Sequence, residues 1–153
     1  MTSESNLRPP HVAAWQSFLE AHRLVTSRLE EELLAAAGVP LPWYDVLARL
    51  ADSEDNRCRM QELAQAILIS KSGLTRLIDR MQRAGLVVRE ACEEDRRGTF
   101  AALTEGGGAL LDRCAPVYVR GVTEHFVDLV DEAEAVTVEQ VMSKVASRAR
   151  PDA

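Results

Sequence analysis

Between residues 59 and 103 the spacing of the apolar residues changes from a helical period to a strand period, and this change limits the chain to few folds. Met60, Leu63, Ala64 and Ile67 recur at three- and four-residue steps, so a short helix is expected at about 59–67. Ser70 follows as an N-cap, and Leu74, Leu77, Ile78 and Met81 then form one inward stripe closed by Gly85. After Gly85 the pattern turns β-compatible. Leu86 to Ala91 and Thr99 to Leu103 flank the polar tip CEEDRRG, with Gly98 for the turn, and predict a hairpin. Two short helices followed directly by a hairpin is the order of a winged helix-turn-helix.

The flanks read as helix. Residues 1–11, ending in Pro9-Pro10 and His11, are expected to be a flexible arm. Trp15, Phe18, Leu19, His22, Val25, Leu29, Leu33 and Ala36 mark one face of a helix over 12–36, closed by Gly38 and Pro40. Twenty-five residues give a rod of roughly 37 Å, longer than a domain of this size needs for its own core. Such a helix leans on a partner. Pro42 fits the first turn of a second helix, whose buried face carries Trp43, Val46, Leu47 and Leu50. The stretch from Asp52 to Arg57 is expected to be a loop. Thr104 caps a helix running to Leu129, with Pro116 inside it as a kink, and a last amphipathic helix spans about 132–149. The fold expected is mainly α, with a two-stranded β-hairpin wing.

Charge distribution sharpens the reading. The 153 residues carry a net charge of −6, which taken alone argues against nucleic acid. Residues 57–97, however, hold nine Lys+Arg against six acids and are +3, so the remainder is −9. A basic module sits in an acidic frame. On helix 70–84 the residues left outward are Lys71, Ser72, Thr75, Arg76, Asp79, Arg80 and Arg83. Small hydroxyl-bearing side chains let the N-terminal end approach base edges. Lys71 and Arg76 reach guanine acceptors or phosphates, and Arg80 and Arg83 lie further along for the backbone. Arg96 and Arg97 at the hairpin tip suit phosphate contact or a narrow minor groove. Asp95 between them and the acidic Glu93 and Glu94 reads as a carboxylate that holds one guanidinium in direction. The competing reading is an ordinary solvated arginine face, which the hairpin arginines just downstream make the weaker of the two.

Other classes find less support. Glu93, Glu94 and Asp95 are consecutive on an exposed turn with no nucleophile–base pair beside them, so an enzyme is not expected. Three cysteines without CxxC spacing, and His11, His22 and His125 without mutual metal-site spacing, give no metal or cofactor expectation. No run approaches 18 apolar residues, and the opening MTSESNLRPP lacks a basic-then-apolar layout, so a cytoplasmic soluble protein is expected.

The run ELAQAILISKSGLTRLIDRMQRAGLVVRE at 62–90, followed by EEDRRGTFAALTEGG at 93–107, resembles the MarR family of bacterial transcriptional regulators. The resemblance extends over residues 12–149. It implies a homodimer in which helices from 12–36 and 105–150 interleave as the dimerisation region, with the winged helix-turn-helix at 40–104. It places Ser70, Lys71, Ser72, Thr75 and Arg76 at major-groove positions and Arg97 at the wing arginine, anchored by Asp95. Double-stranded DNA with a pseudo-palindromic operator is the implied partner, and repression by occlusion the implied action. One departure stands out: many members have glycine in the turn before the recognition helix, where this chain has Leu68.

The resemblance also implies release by a small aromatic or anionic ligand, for which Trp15, His22, Trp43, Tyr44 and Tyr118 are candidates; packing of core and dimer seam is the competing reading. A thiol-based redox response is a further alternative. Cys58 between Arg57 and Arg59 is its candidate, because flanking cations lower a thiol pKa. A winged helix used only as a protein-interaction module is the last alternative.

Overall fold

The computed structural model describes residues 9–91 and 98–150. Helix α1 (Pro9–Ala37) leads into α2 (Leu41–Ala51), a 3-10 turn at Glu54–Asn56, strand β1 (Arg57–Arg59), α3 (Met60–Ala66) and α4 (Lys71–Arg83). Strands β2 (Val87–Ala91) and β3 (Thr99–Leu103) follow, then α5 (Glu105–His125), a 3-10 turn at Val127–Leu129, and α6 (Glu132–Ala149).

The core lies between α2, α3, α4 and the sheet, capped by the end of α1 and the start of α5. Leu33, Val46, Leu47, Leu50, Leu63, Leu74, Ile78, Met81, Val87 and Cys114 are fully buried there. The stripe expected on α4 is buried in full. Ser70 Oγ caps α4 by accepting from Gly73 N at 3.0 Å, and Thr104 Oγ1 caps α5 by accepting from Gly107 N at 3.0 Å. Gly85 takes φ +75 where α4 turns into β2, a conformation open to glycine at little cost.

Four expectations change. The hairpin β2–β3 forms in the register Val87 to Leu103 through Ala91 to Thr99, but it is not two-stranded on its own. Residues 57–59, placed in a loop and at a helix start, instead add a third antiparallel strand in the order β1-β3-β2. Three residues carry too little periodicity to announce a strand whose partner lies some forty residues downstream. Helix α1 begins at Pro9, so residues 9–11, expected in the arm, are helical; proline suits a first turn, where its missing N–H is no loss. Helix α5, with Pro116 inside it, ends at His125 rather than Leu129, because φ −140, ψ −58 at Phe126 breaks the ladder. On α2 it is Tyr44 rather than Trp43 that is buried with Val46, Leu47 and Leu50, and Trp43 packs at the core margin.

The long helices leave much of their apolar surface open. Of the face expected on α1 only Leu29 and Leu33 are buried, while Trp15 is 56% exposed and Phe18, Leu19 and Leu24 are exposed with it. Helix α6 buries no residue at all, and Val136, Val138, Val141 and Val145 stand open along it.

Candidate nucleic-acid interface

Helix α4 presents its polar side outward because its apolar stripe is fixed in the core. Lys71, Ser72, Thr75, Arg76, Arg80 and Arg83 are all exposed. The hydroxyls at the N-terminal end are partly engaged: Ser70 Oγ lies 3.3 Å from Ser72 Oγ, and Thr75 Oγ1 donates to Lys71 O at 2.9 Å. Ser70 is therefore first a cap. Each of these oxygens retains acceptor capacity, and Ser72 is the hydroxyl freest to turn toward a ligand. Arg76, Arg80 and Arg83, with Gly73 and Asp79, line a shallow groove along the helix face.

The one acid on this face is neutralised from the sheet. Arg89 of β2 sends Nη1 to Asp79 Oδ1 at 2.5 Å and Nη2 to the carbonyl of Thr75 at 3.1 Å. This fork ties the recognition helix to the wing and removes Asp79 as a competitor for the other cations. Sequence reading missed Arg89; the signal was Asp79 itself, an acid in a basic stripe that calls for a partner. With Asp79 occupied, Lys71, Arg76, Arg80 and Arg83 make no ion pair among the described residues. A cleft of about 610 Å³ opens between α3, α4 and the sheet, lined by Lys71, Thr75, Asp79, Arg89, Arg59 and Thr99 among others.

On the outer face of the sheet Arg57 and Arg59 both lie over the Phe100 ring, at 5.0 and 5.3 Å from its centroid, and Arg57 Nη1 is 3.4 Å from Glu90 Oε2. The tip residues Asp95, Arg96 and Arg97, and Cys92 beside them, lie outside the described residues.

The matching family model is that of the MarR family, over residues 37–98. A solved structure of AbsC, a MarR family transcriptional regulator from Streptomyces coelicolor, is 39% identical, with a TM-score of 0.87 over 93% of this chain and 95% of that one. Sco3205, a MarR family transcriptional regulator from the same organism solved in complex with DNA, is 34% identical, with a TM-score of 0.90 over 95% of each chain. The chain belongs to the MarR family. Among curated relatives, the HTH-type transcriptional regulator MhqR of Bacillus subtilis is 28% identical over 91 residues, 60% of this chain and 62% of MhqR. As a MarR-family member the chain is a transcriptional regulator and not an enzyme.

Leu68, the departure from the family's glycine, now has a physical meaning. It sits in the turn between α3 and α4 with φ +57, in the left-handed region, and is 84% exposed. Glycine suits that position because a side chain there is strained.

The aromatic set does not converge on one place. Tyr44 and Tyr118 stack with ring centroids 4.2 Å apart where α2 meets α5, and Trp43 packs beside the same core. Burial pushes both tyrosine hydroxyls above their ordinary pKa, helped at Tyr44 by the neighbouring Tyr118 and at both by Asp45. Trp15 and His22 belong to a separate chain of rings on α1, in which Phe18 stands 5.8 Å from Trp15 and 6.2 Å from His22. The Cys58 expectation is corrected. Strand alternation turns its thiol inward, 5% exposed, while Arg57 and Arg59 point to the opposite face. Burial raises its pKa, and Glu62, whose Oε2 lies 3.9 Å from Sγ, raises it further; Arg49 and Ser53 offset only part of this.

Proposed function

We propose that this regulator acts as a homodimer that binds a pseudo-palindromic site in double-stranded DNA, represses by occlusion, and is released by a small aromatic or anionic effector. The observation that carries the reading is the row of exposed cations on α4 with no ion-pair partner among the described residues, set on a helix whose other face is locked in the core. In this arrangement Ser72, Thr75 and Arg76 approach base edges, Lys71 and Arg80 take phosphates, and Arg96 and Arg97 at the wing enter the neighbouring minor groove with Asp95 as their orienting carboxylate. The 34% identical regulator solved on DNA supports the same use of the fold.

Dimerisation rests on the open apolar surface of α1 and α6. A single α6 that buries nothing gains little from tertiary packing, whereas pairing with a second copy would cover its valines and the Trp15–Phe18 face. Trp15 and His22 fit this seam. Trp43, Tyr44 and Tyr118 remain the effector candidates, because they sit where the DNA-reading module joins the helical frame and a shift there would move α4.

Selection of bound duplexes from a random pool tests the reading. The expected product is a pseudo-palindrome with half-sites about one helical turn apart, depleted when small aromatic acids are added. Binding that stays flat across sequences would reject sequence-specific regulation and favour an interaction module.

A further inference from the structure

Near the end of α5 the contact with α1 becomes polar. Glu32 Oε1 of α1 lies 2.6 Å from His125 Nε2 of α5. The other oxygen, Oε2, is buried and has no hydrogen-bond partner among the described residues. Gly121, one turn before His125, makes room for this carboxylate: a Cβ there would stand 2.6 Å from Glu32 Oε2 and 2.6 Å from Leu29 Cδ2. Glu124 completes the group. One ligand atom from each of Glu32, Glu124 and His125 lies within 4.8 Å of the other two.

A carboxylate oxygen shut away from water without a donor is costly, and the imidazole can serve only one of the two oxygens. A cation would satisfy both. One imidazole and two carboxylates are ligands that zinc accepts, and two negative charges balance a dication while the histidine stays neutral. Tetrahedral zinc with bonds of about 2.0–2.1 Å sets its ligand atoms about 3.3 Å apart. The Glu32–His125 contact would open by roughly 0.7 Å to admit it, and the exposed Glu124 closes the remainder by a rotamer change. Both described cysteines are buried in the main core with their thiol pKa values raised by burial, so the ligation is by nitrogen and oxygen alone.

We propose that Glu32, Glu124 and His125 form a zinc site that joins α1 to the end of α5, with a fourth position left for water. The ligands come from two helices 93 positions apart in sequence, which hid the site from histidine spacing.

The test is titration of the full-length, chelator-stripped protein with Zn²⁺ against a chromophoric chelator, repeated with Co²⁺ to read the ligand type. One ion per chain is expected, with a Co²⁺ spectrum lacking thiolate charge-transfer bands. His125→Ala and Glu32→Gln should each weaken binding by at least about tenfold, while His11→Ala, at an exposed position, leaves it unchanged. Zinc should raise the thermal midpoint of the parent and not of His125→Ala. Glu124→Gln alters an exposed residue, so it keeps the fold and should still weaken the ion. Less than one ion per chain, parental affinity in Glu124→Gln or His125→Ala, or thiolate bands would each overturn the site.

Discussion

The winged helix-turn-helix and the helical frame around it dispose of their apolar residues in opposite ways. From α2 to β3 every large buried side chain meets another from the same chain, and the polar side of α4 is left to the solvent. In α1 and α6 the apolar residues are the ones left outside: Trp15, Phe18, Leu19 and the valines of α6. The module, with the end of α1 and the start of α5, thus closes a core, while the outer parts of α1 and α6 leave their apolar faces open. The module presents cations, and the open apolar faces of the frame are what the proposed second copy would cover.

The largest effect should come from breaking the frame. Phe18→Asp combined with Val141→Asp places charge on the open apolar faces, so sedimentation should give monomers. Loss of the linked second half-site should lower DNA affinity about 10²–10⁴-fold while the module stays folded. A dimer with unchanged affinity would move the seam elsewhere. Next comes the module's own core: Ile78→Ala, at a fully buried site, should cost about 2–5 kcal/mol in denaturant unfolding.

Smaller effects separate reading from folding. Arg76→Ala should cost about 1–3 kcal/mol of specific binding with the unfolding midpoint unmoved. Arg80→Ala should weaken all sequences alike and flatten the salt dependence by about one phosphate contact. Leu68→Gly relieves a left-handed leucine, and should stabilise by at most about 1 kcal/mol, since glycine's added freedom in the unfolded chain offsets part of the gain. Smallest of all is Cys58. Its raised pKa means the thiol stays protonated at neutral pH, so alkylation should begin only as pH climbs above the ordinary thiol range; fast reaction at pH 7 would restore the redox reading.

Much of this molecule was legible in residue order. The α4 stripe, the Ser70 and Thr104 caps and the final helix follow from local periodicity and capping chemistry, and appear where those rules place them. What sequence reading missed depends on distant partners. Strand β1 exists because β3 pairs with it, Arg89 matters because Asp79 lies one layer away, and Glu32 meets His125 only through helix packing. Periodicity also marked the Trp15–Phe18 face as apolar without telling whether its cover comes from the same chain. In the folded chain no described residue covers it. The tyrosines illustrate the limit for ligands: residue type picked five aromatic and histidine positions, and packing divided them into two groups.

In the proposed complex two copies of the frame hold two copies of α4 on one duplex. Sedimentation of the protein with its selected duplex tests it most directly. Two chains per duplex are expected, retained when either half-site is intact and lost with Phe18→Asp/Val141→Asp. One chain per duplex at full affinity would contradict it.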